Sequence, residues 1–236
     1  MRKFSYVILT TALAAVVVYL CSCAGGGVTD PTDPILPSPD IKEGVVDPIT
    51  RDITITKEDI TVTVQHWSRS RLNRKYTTVD MRSPFYYTEG WKQAFQAEAF
   101  YVTIKNDTPR NIIVNLSETT MQDDRDYVFR PKTLDELRYT FVTKKLMDLR
   151  TKQGLEMAQQ SLLNEMLGQK GQVGPGQTVS GFLSFSTPTM IVTKLWVNLV
   201  LEKEPEVATM AYKRVEFRFD YTQDPVLRAK QPTVKR

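Results

Sequence analysis

The chain has 236 residues, 41% hydrophobic and 25% charged, with 31 Lys and Arg against 27 Asp and Glu. That length supports one ordinary domain with a good core, and the near balance of charge argues against nucleic acid as a partner. Two cysteines and a single histidine, His66, leave no ligand set for a cysteine–histidine metal centre.

The N-terminus carries Arg2 and Lys3, then an uncharged, mostly apolar run of 15 residues from Tyr6 to Leu20. Charge and length are those of a secretory signal, and the run is short for a membrane-spanning helix. Leu20, Cys21 and Ser22 precede Cys23, and Ala24-Gly-Gly-Gly follows it. This order resembles the lipobox of bacterial lipoproteins. The resemblance implies cleavage before Cys23, acylation of Cys23 with palmitate and related chains, and loss of Cys21 with the signal. Two or more acyl chains hold a protein stably on a membrane, whereas one holds it only marginally. An uncleaved N-terminal anchor and a C-x-C metal site are the alternatives. Removing residues 1–22 takes away Arg2 and Lys3, so 29 basic residues then face 27 acidic ones. Ala24 rather than Asp after the cysteine implies an outer-membrane lipoprotein facing the periplasm, in a cell that has that membrane.

Residues 24–51 hold five prolines and four glycines, which predicts an extended tether. From Asp52 the pattern turns to period two. Ile60, Val62 and Val64 alternate with Thr61, Thr63 and Gln65, and Phe100, Val102 and Ile104 alternate with Tyr101, Thr103 and Lys105. Ile112, Val114 and Leu116 form a third such run, and 178–186 and 194–202 follow. In 214–221, Val215, Phe217, Phe219 and Tyr221 face one way, and Arg214, Glu216, Arg218 and Asp220 the other. Strands with one apolar and one polar face, separated by turn signals such as NDTPRN and GPGQ, predict a mainly β, two-sheet sandwich over 52–222. Thr133 and Glu136 form a capping box that opens a helical insertion over 133–168, with a second helical run after Gly154. The insertion is expected either to cover an open end of the sandwich or to dock a partner. Residues 223–236 are proline-broken and basic, and are expected to be a loose tail.

Catalytic provision is sparse. His66 sits alone at the end of a strand, no G-x-S-x-G elbow occurs, and no cofactor is expected. A hydrolase acting through paired carboxylates is the enzymatic alternative. Asp123, Asp124 and Asp126 lack the spacing of a calcium loop and predict a solvated hairpin turn. The stretch 84–101 is dense in aromatics, and Tyr86, Tyr87 and Trp91, near Gly90, are candidates for binding a glycan or a protein. The basic run 69–76 is expected to be a solvated loop, with contact to anionic headgroups as its functional alternative.

Phe100-x-Val-x-Ile-x-Asn106, followed by GPGQTVSGFLSF over 174–185, resembles bacterial immunoglobulin-like envelope domains. That likeness implies an immunoglobulin-like sandwich and nothing about activity. The expectation is therefore a non-enzymatic envelope lipoprotein, anchored through Cys23, whose domain makes protein contacts in an envelope assembly. A glycan- or peptidoglycan-binding lipoprotein is the runner-up.

Overall fold

The computed structural model of the chain describes residues 33–78, 83–89, 93–143, 152–189, 191–207 and 209–230. Cys23 and Trp91 lie outside them. The alternation of apolar and polar residues becomes strand wherever it is strongest. In chain order these are β1 (Ile35–Pro37), β2 (Val45–Val46), β3 (Ile53–Lys57), β4 (Ile60–Trp67), β5 (Tyr86–Glu89) and β6 (Gln93–Asn106). Then come β7 (Ile112–Val114), β8 (Thr120–Asp123), β9 (Val128–Phe129), β10 (Gln172–Val173), β11 (Thr178–Ser186), β12 (Lys194–Lys203) and β13 (Lys213–Gln223). The helices are α1 (Arg69–Tyr76), α2 (Leu134–Thr143), α3 (Lys152–Glu165) and α4 (Pro225–Lys230), with a 3-10 turn at Leu167–Gln169.

The strands form two antiparallel sheets, one ordered β1-β13-β12-β7-β10 with β8 and β9 attached, the other β11-β6-β4-β3-β2 with β5 attached. Val62, Val64, Val102, Ile104 and Phe185 of the second sheet meet Val197, Leu199, Phe217 and Phe219 of the first in one buried core. Each such side chain contributes about 1.5–3 kcal/mol of burial. The predicted sandwich is thus the observed one, and β13 alternates as read, with Val215, Phe217, Phe219 and Tyr221 buried.

Several expectations are corrected. The tether does not run to residue 51: Ile35–Pro37 pairs with β13, Pro37 opposite Tyr221, and Ile35 is buried. Proline suits this place because β1 is an edge strand, where a missing N–H breaks no ladder. The C-terminal segment is not loose up to residue 230. Asp224 accepts from the Val226 and Leu227 amides, so α4 starts at Pro225, and Arg228 is buried. The basic run 69–76 is no loop but α1, capped by Ser68 and burying Leu72 and Tyr76.

The helical insertion occupies a different place from the expected one. The capping box forms, with the Thr133 amide donating to Glu136 at 2.7 Å and the Glu136 amide to Thr133 Oγ1 at 3.2 Å. α3 begins at Lys152, so Gly154 lies inside it. Instead of covering an open end, Leu137, Ala158, Leu162 and Met166 pack with Leu72, Tyr76, Phe85 and Phe182 in a second apolar cluster. Trp67, Tyr101 and Phe182 place that cluster on the outer face of the second sheet. Glu165 ties α3 to α1, accepting from the Tyr76 hydroxyl and pairing with Lys75 at 2.7 Å.

After α3 the chain passes the edge of β11 and Leu167 enters the main core. A Cβ on Gly181 would stand 2.6 Å from the Leu167 backbone nitrogen and 2.9 Å from the Glu165 carbonyl oxygen. The glycine before Phe182 is therefore a close-approach position, not a turn. Gly181→Ala is expected to destabilise the fold by about 1–3 kcal/mol through overpacking, read as a lower urea midpoint. An unchanged midpoint would mean that the 165–167 segment yields freely.

Candidate functional site

The titratable groups that the fold brings together lie at the end of the sandwich where the chain enters β1. His66 shares the inward register of Ile60, Val62 and Val64, and Glu98 that of Phe100, Val102 and Ile104. His66 Nδ1 stands 2.9 Å from Asp33 Oδ2, and its Nε2 3.0 Å from Glu98 Oε2. The other oxygen of Glu98 meets Arg228 at 2.6 Å and Arg69 at 3.4 Å. Arg228 Nε also donates to Gln223 Oε1 at 3.0 Å. All five charged side chains are buried. Asp33, β4, α1, β6 and α4 are thereby joined through one cluster.

Both ring nitrogens of His66 face carboxylate oxygens, so both donate and the imidazole is held as its cation. Burial opposes that charge. The Asp33 and Glu98 carboxylates outweigh it and raise the His66 pKa to about 9. Burial likewise opposes ionisation of Glu98, and Arg228, the His66 hydrogen bond and Arg69 hold its carboxyl well below the usual range. A histidine with both nitrogens engaged and its proton held to about pH 9 makes a poor general base at neutral pH. The arrangement is an electrostatic clasp.

None of the sequence-predicted site residues belongs to this cluster among the described residues. Cys23 and Trp91 fall outside the described residues. Tyr86 and Tyr87 lie on β5, opposite Gln96 and Phe95. The cations of 69–76 are largely committed: Arg69 to Glu98, Arg71 stacked 3.8 Å over the Trp67 ring, Lys75 to Glu165. Asp123–Asp126 do form a hairpin turn, and Asp124 Oδ2 accepts from the Thr193 and Lys194 amides at 3.0 and 3.1 Å. Sequence reasoning missed Asp33, Glu98, Arg69 and Arg228. A signal for Glu98 was present, since a lone acid sat in the apolar register of β6. The other three carried none.

Two surface features complete the picture. A recess of about 370 Å³ is bounded by Lys42, Lys57, Arg218, Glu43, Glu216 and Asp220. Lys57 pairs with Glu43 at 2.7 Å and Arg218 with Asp220 at 2.8 Å, so the recess offers a ligand little uncommitted charge. At the end opposite the clasp, the β12–β13 connection exposes Val207 at 50%, Met210 at 61% and Tyr212 at 46%. Its stem is held by Arg110, donating to the Pro205 carbonyl at 2.9 Å, and by Asn111, donating to Glu204 at 2.9 Å. Among the described residues no helix is long and apolar enough to cross a membrane.

No protein-family profile and no curated protein matches the chain. Among solved structures it is similar to the YjhA protein of Bacillus subtilis, at 17% identity over 62% of this chain and 75% of that one, with a TM-score of 0.32. It is also similar to MPT63, a secreted protein of Mycobacterium tuberculosis, at 10% identity over 73% of this chain and 95% of that one, with a TM-score of 0.29. The two-sheet architecture stands on the chain's own strand pairing.

Glu98→Gln leaves two buried guanidiniums and an imidazolium without their shared anion, and is expected to cost about 3–5 kcal/mol in urea denaturation. A loss below about 1 kcal/mol would show the cluster to be dispensable. Stability should also depend on pH with a defined sign. His66 is raised from 6.5 to about 9, so its contribution is complete below pH 6.5 and is lost as pH rises through about 9. Glu98 is depressed, so its contribution is complete above about 4.5 and is lost in acid. Thermal denaturation of the wild type should fall between pH 7 and 10, and His66→Gln should lack that alkaline fall. An identical slope in the variant would assign the dependence to other groups.

Proposed function

We propose that the chain is a non-enzymatic, lipid-anchored cell-envelope protein whose sandwich offers a contact surface to a protein partner. The anchor is Cys23, and the membrane favoured by Ala24 is the outer one, with the domain facing the periplasm. The observation that carries the contact reading is the exposed Val207, Met210 and Tyr212 set on a pinned hairpin stem. Large apolar side chains on a held loop suit a binding anchor, because little order has to be imposed on binding.

The geometry supports this orientation. The chain enters beside Gln223, since the Asp224 amide donates to the Pro34 carbonyl at 2.7 Å. β12 runs from Lys194, opposite Thr222, to Lys203, opposite Lys213. At about 3.3 Å per residue, the hairpin tip stands roughly 30 Å from the point of entry. Nine residues separate Cys23 from Asp33, and a chain of that length spans at most about 30 Å. An anchored domain would hold its charged clasp toward the membrane and its apolar hairpin away from it.

Deleting 134–168 would uncover Phe182, Tyr76 and Phe85, so it cannot separate docking from folding. Val207→Asp with Met210→Asp leaves both apolar clusters untouched. In pull-downs from detergent-solubilised envelopes, the double variant is expected to lose a partner that the wild type captures. Equal capture by the two would remove this hairpin from the interface. Metabolic acyl labelling is expected to vanish in Cys23→Ala, and label retained there would overturn the anchor.

A further inference from the structure

The apolar tip of the β12–β13 hairpin contains one side chain whose polarity a mild oxidant can change. Val207 and Tyr212 are inert to a peroxide, whereas the Met210 thioether takes up one oxygen from it. Access of the sulfur to water and oxidant sets how readily this happens. Among the described methionines, Met121 and Met166 are buried in the two apolar clusters, and Met157 on α3 is 38% exposed. Met210 stands at 61%.

The hairpin keeps that sulfur outside the fold without leaving it on a loose end. The Met210 amide donates to the Val207 carbonyl at 2.9 Å, which closes a turn between the two residues. Beneath it, Arg110 holds the Pro205 carbonyl and Asn111 holds Glu204. These ties are made by backbone groups and by other side chains, and neither apolar cluster includes Val207, Met210 or Tyr212. A sulfoxide at 210 therefore changes the polarity of the tip and leaves the packing of both sheets and of the helical layer as it is. For the tip itself the change is large. A flexible apolar side chain becomes a polar, chiral one with an acceptor oxygen, which disrupts interfaces that rely on methionine.

We infer that Met210 is a reversible oxidation site that switches off the contact surface of the hairpin. The sulfur lone pair attacks one oxygen of hydrogen peroxide or of an alkyl hydroperoxide. An S–O bond forms as the O–O bond breaks, the proton passes to the leaving oxygen, and water or the alcohol departs. Sulfur is oxidised by two electrons and the peroxide is reduced by the same two. A methionine sulfoxide reductase reverses the step, taking two electrons from a pair of thiols, which become a disulfide, and releasing the oxygen as water. The inference rests on the contact reading of Val207, Met210 and Tyr212 and adds a control to it.

The test treats the full-length protein, in detergent, with dilute hydrogen peroxide and reads each methionine by peptide mass. Sulfoxide is expected at Met210 first, several-fold faster than at Met157, with circular dichroism unchanged. In the envelope pull-down, the band that Val207→Asp with Met210→Asp fails to capture is expected to fall about tenfold as sulfoxide at 210 accumulates. Reductase with dithiothreitol should bring it back, and Met210→Gln, polar and of similar length, should lack it without peroxide. Met157→Leu should lose capture along the wild-type time course. Capture that persists in oxidised Met157→Leu would assign the response to α3 and overturn the switch. Oxidation of Met210 no faster than Met157, or undiminished capture by protein fully oxidised at 210, would also overturn it and leave the contact reading standing. A wild type that captures nothing beyond the double Asp variant before peroxide is added would sink the contact reading, and the switch with it.

Discussion

A carboxylate placed in the apolar register of a buried strand stays ionised only if cations come to it, and Glu98 imposes that requirement on one whole end of this sandwich. Three cations answer it from three separate parts of the chain: His66 from β4, Arg69 from the start of α1 and Arg228 from α4. His66 in turn needs an acceptor for its second nitrogen, and Asp33 supplies it. The order of this end follows from that chain of compensation. Without Asp33 the approach to β1 loses its hold, and without Arg228 the last helix has no reason to turn inward.

The middle of the molecule obeys a different rule. Between the sheets the core is apolar and close-packed, and no charge is needed to define it. The helical insertion adds a layer outside the second sheet, where Phe182, Tyr101 and Trp67 would otherwise present an aromatic face to water. That placement puts the described part of the insertion on a face of the sandwich, and the two ends differ in character. One is built on buried ions and bears the chain's entry. The other is built on a long hairpin with exposed apolar residues.

Much of the fold was legible because its signal is periodic. The strands at 60–67, 99–106, 178–186, 194–202 and 214–221 follow from alternation, and the Thr133–Glu136 capping box marks a helix start from four residues. Boundaries set by a single tertiary partner were not legible. Pro-rich sequence around Ile35 is equally compatible with a tether and with an edge strand, and only β13 decides between them. The basic run 69–76 reads as solvated until Leu72 and Tyr76 find Phe85 and Phe182 beneath them. Of the clasp, Glu98 and His66 were readable as inward-facing polar residues, while Arg69, Arg228 and Asp33 were indistinguishable from surface charges.

The sequence by itself determined a mainly β sandwich and a helical interruption, because each is encoded by neighbours along the chain: alternation and a cap. The tertiary structure alone decided which charges are buried, where the insertion lies, and which turns share an end. Those facts depend on pairs such as Asp33 with His66 and Glu98 with Arg228, separated by 33 residues in the first case and by most of the domain in the second. Local pattern records the face a residue presents. It does not record what waits on the other side.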